Sequence, residues 1–332
     1  MKYIIDGHYD ILMDVAARRK KGERQVIRRR YYPAFQKGGV TGIVASIFVD
    51  SQYLPYGALS VAMEQISALH CEIEETPDLL MLCTSADDFL RAAETGKIGF
   101  LLSFEGAEPV SSCLLLHGFY AAGVRGLGLA WSRRNAAADG CDFSGSLKKG
   151  GLTEFGRELV KEAEDLHMIL DLSHLSDEGV EDVLSITSCP VIASHSNCRA
   201  LAGSNRNLTD CQMREIASRG GTVGLNGCSL LTAGPGVSPD QNGLTAHLDH
   251  MTEIMGEDHV AFGFDFCDSF FADDLSSSTD QMPERPFDIL SGAHENLPAF
   301  LDHLRQHGYT ESHLAKLAGE NWLHTFRHIL KH

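Results

Sequence analysis

His8 and Asp10 stand two residues apart in the segment Asp6-Gly7-His8-Tyr9-Asp10. In an extended segment alternate side chains share a face, so this spacing lets an imidazole and a carboxylate grip one cation while Tyr9 points away. Further along, apolar runs end in residues of the same kind: Phe104-Glu105-Gly106, Ser173-His174, Ser194-His195-Ser196 and Phe264-Asp265-Phe266. Together they offer three imidazoles and three carboxylates. Such a donor set suits Zn²⁺, Mn²⁺, Co²⁺ or Fe²⁺, with zinc the first choice; Ca²⁺ or Mg²⁺ would be expected to draw oxygen ligands alone. Six groups exceed what one tetrahedral zinc with an open position uses, whereas two ions about 3.5–4 Å apart could share a bridging carboxylate. Water held between two such ions has its pKa lowered toward neutrality while the ions polarise a carbonyl, which is what attack on a peptide bond requires. Each residue alone could be an ordinary buried histidine or a turn-capping acid. Five apolar segments all ending this way is harder to explain as packing, since each polar group would need its own buried partner.

The elements that must position these residues can be read from hydrophobic pattern. The chain has 332 residues, 43% hydrophobic and 22% charged, enough for a large core. Eight segments have the character of buried strands: Tyr3 to Asp6, Gly42 to Val49, Ile98 to Phe104, Val124 to Ala130, Met168 to Ser173, Pro190 to Ser194, Thr222 to Asn226 and Val260 to Asp265. Helical periodicity falls between them, over Leu59 to Glu74, Phe155 to His167, Asp210 to Ser218 and Leu244 to Met255. The alternation predicts an α/β fold, a single (β/α)8 TIM barrel over residues 1–332, in which C-terminal strand ends converge on one face. A doubly wound open sheet is the alternative, but no Gly-x-Gly-x-x-Gly follows the first strand. Gly292 to His332 reads as two or three closing helices, and the long polar segment Asp268 to Arg285 as a lid or substrate loop. A formal net charge of −17 argues against nucleic-acid and anionic-membrane partners. The N-terminus shows no basic-then-apolar leader and no run reaches bilayer length, so the expected location is cytoplasmic. Nine cysteines without a Cys-x-x-Cys pair fit reduced thiols.

In order and spacing the chain resembles the membrane dipeptidase family, the renal dipeptidase-like zinc metallopeptidases among the amidohydrolase-type barrels. The resemblance rests on Asp6-Gly7-His8-Tyr9-Asp10, Gly38-Gly39-Val40, Phe104-Glu105-Gly106, Gly151-Leu152-Thr153 with Phe155-Gly156, Asp171-Leu172-Ser173-His174, Ser194-His195-Ser196, Arg206-Asn207 and Phe262-Gly263-Phe264-Asp265-Phe266, and so runs almost end to end. It implies that His8 and Asp10 hold one zinc, His174 and His195 a second, and that Glu105 bridges them where related barrels use a modified lysine. It further implies that Asp265 is the acid/base passing a proton from the attacking water to the departing amine. Arg206 would bind the substrate's terminal carboxylate, a task suited to the parallel donors of a guanidinium. The implied activity is dipeptide hydrolysis by a metal-bridging hydroxide, tolerant of a C-terminal D-residue, in a homodimer.

Two departures bear on substrate. Family members often read Leu-Thr-His after the fourth strand, with the histidine near the oxyanion; here the stretch is Leu129-Ala130-Trp131-Ser132-Arg133-Arg134-Asn135. Trp131 and Asn135 are therefore candidate substrate contacts, and the adjacent arginines point to a preference for acidic side chains. The family's Asp-Phe-Asp-Gly becomes Asp265-Phe266-Cys267-Asp268. The alternatives are another amidohydrolase activity on the same metals, an N-acyl amino acid deacylase or lactonase, and a catalytically dead barrel kept as a binding protein.

Overall fold

The computed structural model describes residues 1–141, 149–271 and 287–330. Nine parallel strands form one sheet: β1 (Ile5–Tyr9), β2 (Gly42–Phe48), β3 (Leu80–Leu82), β4 (Ile98–Glu105), β5 (Val124–Gly128), β6 (Ile169–Asp171), β7 (Ile192–Ala193), β8 (Thr222–Leu225) and β9 (Val260–Phe262). Eight of them follow the barrel path β1-β2-β4-β5-β6-β7-β8-β9, the eight segments that the hydrophobic pattern marked. The ninth, β3, pairs with the start of β4 at Ile98–Phe100, and β5 takes over that edge from Leu102 onward. The fold is a (β/α)8 barrel.

Several strands are shorter than their apolar runs, and β7 shows why. After Ala193 the Ser194 N–H turns to the Asp171 carboxylate at 2.9 Å instead of continuing a ladder. Strand β1 begins later than predicted and runs through Gly7 to Tyr9, so the glycine does not end it. Gly7 serves a close approach: a Cβ there would lie 2.4 Å from the Trp322 ring. That indole is fully buried and donates to the Phe262 carbonyl at 2.8 Å. Its helix, Asn321–Ile329, closes the barrel with the helices Leu297–Gln306 and Glu311–Ala315, as expected of the C-terminal stretch.

Among the described residues β1 and β9 form no ladder, and the seam between them is bridged by the backbone bond from Asp265 N to His8 O at 3.3 Å and by the side chain of Asp6. Its Oδ1 accepts from Phe264 N at 2.9 Å and His8 N at 3.3 Å, while Oδ2 pairs with His294 Nε2 at 2.7 Å. The His294 ring is buried, edge-on to Tyr9, Phe35 and Phe266. A buried carboxylate that loses one partner retains its desolvation cost. Replacing His294 with leucine is therefore expected to lower unfolding free energy by about 3 kcal/mol, read by urea denaturation.

None of the nine cysteines is joined in a disulfide. Among the described residues no helix is long and apolar enough to cross a membrane. Of the segment read as a lid, only Asp268–Phe271, a short helix, is described; 272–285 lies outside the described residues.

Candidate metal centre

Strand ends supply the site. His8 sits within β1, and Asp10 follows as the residue that starts the helix Ile11–Lys20. Asp10 makes no capping bond to that helix; instead it accepts from Ser46 of β2. Glu105 is the last residue of β4, and His174 and His195 lie just past β6 and β7. His174 and Asp265 have φ of +69° and +57°, uncommon for residues with a Cβ. Such conformations cost about 1–3 kcal/mol each and persist where surrounding structure imposes them, typically at functional sites. At Gly263 the approach of strands leaves no room for a side chain, since a Cβ would lie 1.7 Å from the Ser194 carbonyl.

The convergence has two halves that share one carboxylate. Glu105 Oε1 lies 2.8 Å from His174 Nε2 and 3.5 Å from His195 Nε2, and those two nitrogens face each other at 2.9 Å. Glu105 Oε2 lies 3.6 Å from His8 Nε2, which is also 3.6 Å from Asp10 Oδ1 and 3.9 Å from Asp265 Oδ1. Three overlapping sets have ligand atoms mutually within 4.8 Å: His8, Asp10 and Glu105; Glu105, His174 and His195; and His8, His195 and Asp265. His8 Nε2 and Glu105 Oε2 are buried with no hydrogen-bond partner among the described residues. Buried polar atoms rarely go unsatisfied, and atoms of these two types aimed into one space fit a bound cation.

Burial sets the electrostatics. It drives His174 and His195 well below the usual imidazole range, leaving neutral rings with a lone pair available. Burial pushes Glu105 well up, and the Asp10 charge adds to the rise. It pushes Asp265 up to about 6. For His8 burial acts downward, but the Glu105 and Asp10 carboxylates outweigh it and hold the imidazole well above its ordinary value. Divalent cations would reverse the shifts of the carboxylates and His8, because their charge favours the deprotonated forms.

Asp265 Oδ2 accepts from Asn226 Nδ2 at 3.0 Å, leaving Oδ1 toward His8. Arg206, 6% exposed, donates to Ser196 Oγ and the His195 carbonyl, both at 2.8 Å. The Trp131 ring lies beside His174 and Phe48, with centroids 5.8 and 5.3 Å away. The amide of Asn135 braces its own loop, donating to Leu129 O at 2.8 Å and accepting from Ala137 N and Ala138 N. That use of both ends of the amide is the turn chemistry of asparagine. The arginine expectation is corrected here. Arg133 pairs with Glu108 at 3.0 Å, donates to Val49 O and lies over the Phe48 and Trp131 rings, while Arg134 pairs with Asp139. Both guanidiniums already face carboxylates, which removes the motive for favouring acidic side chains.

The sequence reading missed Ser46, Ser132, Asp171, Ser194 and Asn226. Two of them lie in quoted motifs, Asp171-Leu172-Ser173-His174 and Ser194-His195-Ser196, so adjacency to a ligand-type residue was the available signal.

The family model for membrane dipeptidase, peptidase family M19, matches residues 2–331. A solved dipeptidase described as a metallopeptidase of family M19 is 30% identical, with a TM-score of 0.85 over 99% of this chain and 98% of that one. A metallopeptidase from Rhodobacter sphaeroides, solved with a phosphinate mimic of the dipeptide L-Ala-D-Ala, is 29% identical, with a TM-score of 0.83 over 98% and 99% of the two chains. A dipeptidase of Clonostachys rogersoniana, verJ, is 31% identical over 66% of this chain and 55% of its own length.

Proposed function

Because the chain belongs to the membrane dipeptidase family and is a metallo-dipeptidase, we propose that it cleaves dipeptides, including those with a C-terminal D-residue, with two zinc ions and a bridging-water nucleophile. The observation that carries this reading is Glu105, whose two oxygens face different imidazole sets, His174 with His195 on one side and His8 on the other. His8 and Asp10 would hold one ion, His174 and His195 the other, and Glu105 both. When bound, two such ions supply an acidified water and polarise the scissile carbonyl.

The remaining work belongs to side chains. Asp265, with Oδ2 held by Asn226, presents Oδ1 to receive the proton of the attacking water and return it to the amine nitrogen as the C–N bond breaks. Arg206 would hold the substrate's free carboxylate. Trp131 would bound the substrate on the His174 side with an apolar face. The R. sphaeroides neighbour's ligand mimics a dipeptide ending in D-alanine, which supports tolerance of that stereochemistry.

A panel of L-Xaa-L-Xaa and L-Xaa-D-Xaa dipeptides, N-acyl amino acids and lactones tests the reading. Turnover of both dipeptide series is expected. Turnover confined to N-acyl amino acids or lactones would move the activity to another amidohydrolase reaction, and none on any substrate would favour a binding protein. For Arg206→Lys, KM for dipeptides is expected to rise about tenfold to a hundredfold, the worth of hydrogen bonds to a charged group. C-terminally amidated dipeptides should show no such rise.

A further inference from the structure

Behind the imidazoles, on the side away from the shared space, one hydroxyl touches two rings that belong to different halves of the centre. Ser194 Oγ lies 2.7 Å from His195 Nδ1 and 3.4 Å from His8 Nδ1, and the two rings stack with centroids 3.6 Å apart. The same oxygen donates to Asp171 Oδ2 at 2.5 Å, while Asp171 Oδ1 accepts from Ser173 N at 3.0 Å and Ser194 N at 2.9 Å. Asp171 and Ser194 are both buried.

A donor inventory fixes the protons. A carboxylate only accepts, so the single hydroxyl proton of Ser194 is committed to Asp171. What remains on Oγ is two lone pairs, so a hydrogen bond from Nδ1 of His195 at 2.7 Å, or of His8 at 3.4 Å, requires hydrogen on that nitrogen; Ser173 Oγ lies 3.5 Å from the same oxygen. That assignment makes Nε2, the atom that faces Glu105 and the shared space, the nitrogen through which each ring can offer a lone pair to a cation. His174 is served differently. Its Nδ1 meets Ser132 Oγ at 2.9 Å, and that hydroxyl has Cys141 Sγ at 3.6 Å and no carboxylate among its described partners.

We propose that Asp171 and Ser194 are positioning residues that set the tautomer and orientation of His8 and His195 together, so that one hydroxyl governs ion affinity in both halves of the centre. A partner behind a ligating histidine that fixes its tautomer raises its basicity, and loss of such a partner typically weakens metal affinity about tenfold to a hundredfold. The consequence for two ions rests on the binuclear reading above; the proton assignment does not.

Two measurements on the same variants separate these. In demetallated protein, long-range ¹⁵N–¹H correlation spectra should show His195 with its proton on Nδ1, and Ser194→Ala should abolish that preference while Ser194→Thr retains it. Wild-type protein with the His195 proton on Nε2 would overturn the assignment whatever metals bind. In chelator competition with zinc, Ser194→Ala should weaken both ions by about tenfold to a hundredfold. Ser132→Ala should weaken one ion alone, and Ser194→Thr should restore most of the loss. Unchanged affinity, or loss at a single ion in Ser194→Ala, would overturn the shared role. Thermal unfolding of the metal-free proteins controls for a merely structural effect, which would lower the midpoint without moving the tautomer. Should Ser194→Ala not fold, Asp171→Asn decides, because its amide can donate to Oγ and free the hydroxyl proton to point at His195. Its His195 proton is expected to shift to Nε2, and a His195 proton unmoved from Nδ1 would overturn the proposal.

Discussion

Glu105→Gln is expected to leave a folded barrel that no longer holds two ions, with zinc affinity in the worse half lower by about three orders of magnitude. Glutamine has the same shape, so the β4 end and its 7% exposed position should be preserved. The charge and one acceptor are lost. The amide oxygen can serve the His174 and His195 side or the His8 side, but the NH₂ group must then face the other, presenting a donor where a cation should sit. Removing one member of a buried charged cluster costs about 3–5 kcal/mol, which sets that figure. Dipeptide turnover should fall at least as far, since in the proposed reading the nucleophile depends on both ions. Elemental analysis of the purified variant beside wild type, with turnover measured on the same samples, checks both effects. Two ions retained at wild-type affinity would mean that Glu105 does not bridge.

Asp265→Asn is expected to do the opposite: keep the ions and lose the chemistry. Asparagine tolerates the left-handed φ of +57° at this position and can still accept from Asn226, so the local geometry should survive. It cannot take a proton from water or return one to the amine. General acid–base assistance is worth about 10²- to 10⁴-fold, and kcat should drop by that much while KM and zinc content stay close to wild type. The kcat-against-KM split and metal content together distinguish this role from a ligand role. Loss of zinc in the variant would make Asp265 a ligand of the His8 half, which its 3.9 Å approach to His8 Nε2 leaves within reach.

The barrel was legible because its eight path strands are continuous apolar runs, and so was the gathering of ligand-type residues, because they occupy the ends of those runs. Strand β3 was not, since Leu80–Leu82 is three residues long and pairs only with the foot of β4. The helices Ile11–Lys20, Ala86–Glu94 and Asp177–Ile186 also escaped the pattern reading. They are short, and the latter two start at caps, Ser85 with Asp88 and Ser176 with Gly179, rather than from a long apolar stripe, while Ile11–Lys20 starts at Asp10 with no side-chain cap. Gly7 misled, because a glycine required by the approach of Trp322 looks in sequence like one that ends a strand. The arginines beside Trp131 misled for a related reason. Glu108 and Asp139, which face them, are distinguishable from solvent-facing acids only once the loops are folded. The hydroxyls behind the imidazoles carry no spacing signal of their own, and their role follows from hydrogen-bond geometry alone.

Whether the centre takes two cations is decided by a zinc titration of demetallated wild-type protein, followed by calorimetry and elemental analysis with dipeptide turnover recorded at each point. The expected result is two ions per chain, with turnover completed only as the second is taken up. Saturation at one ion with full turnover, or turnover that persists without metal, would contradict it.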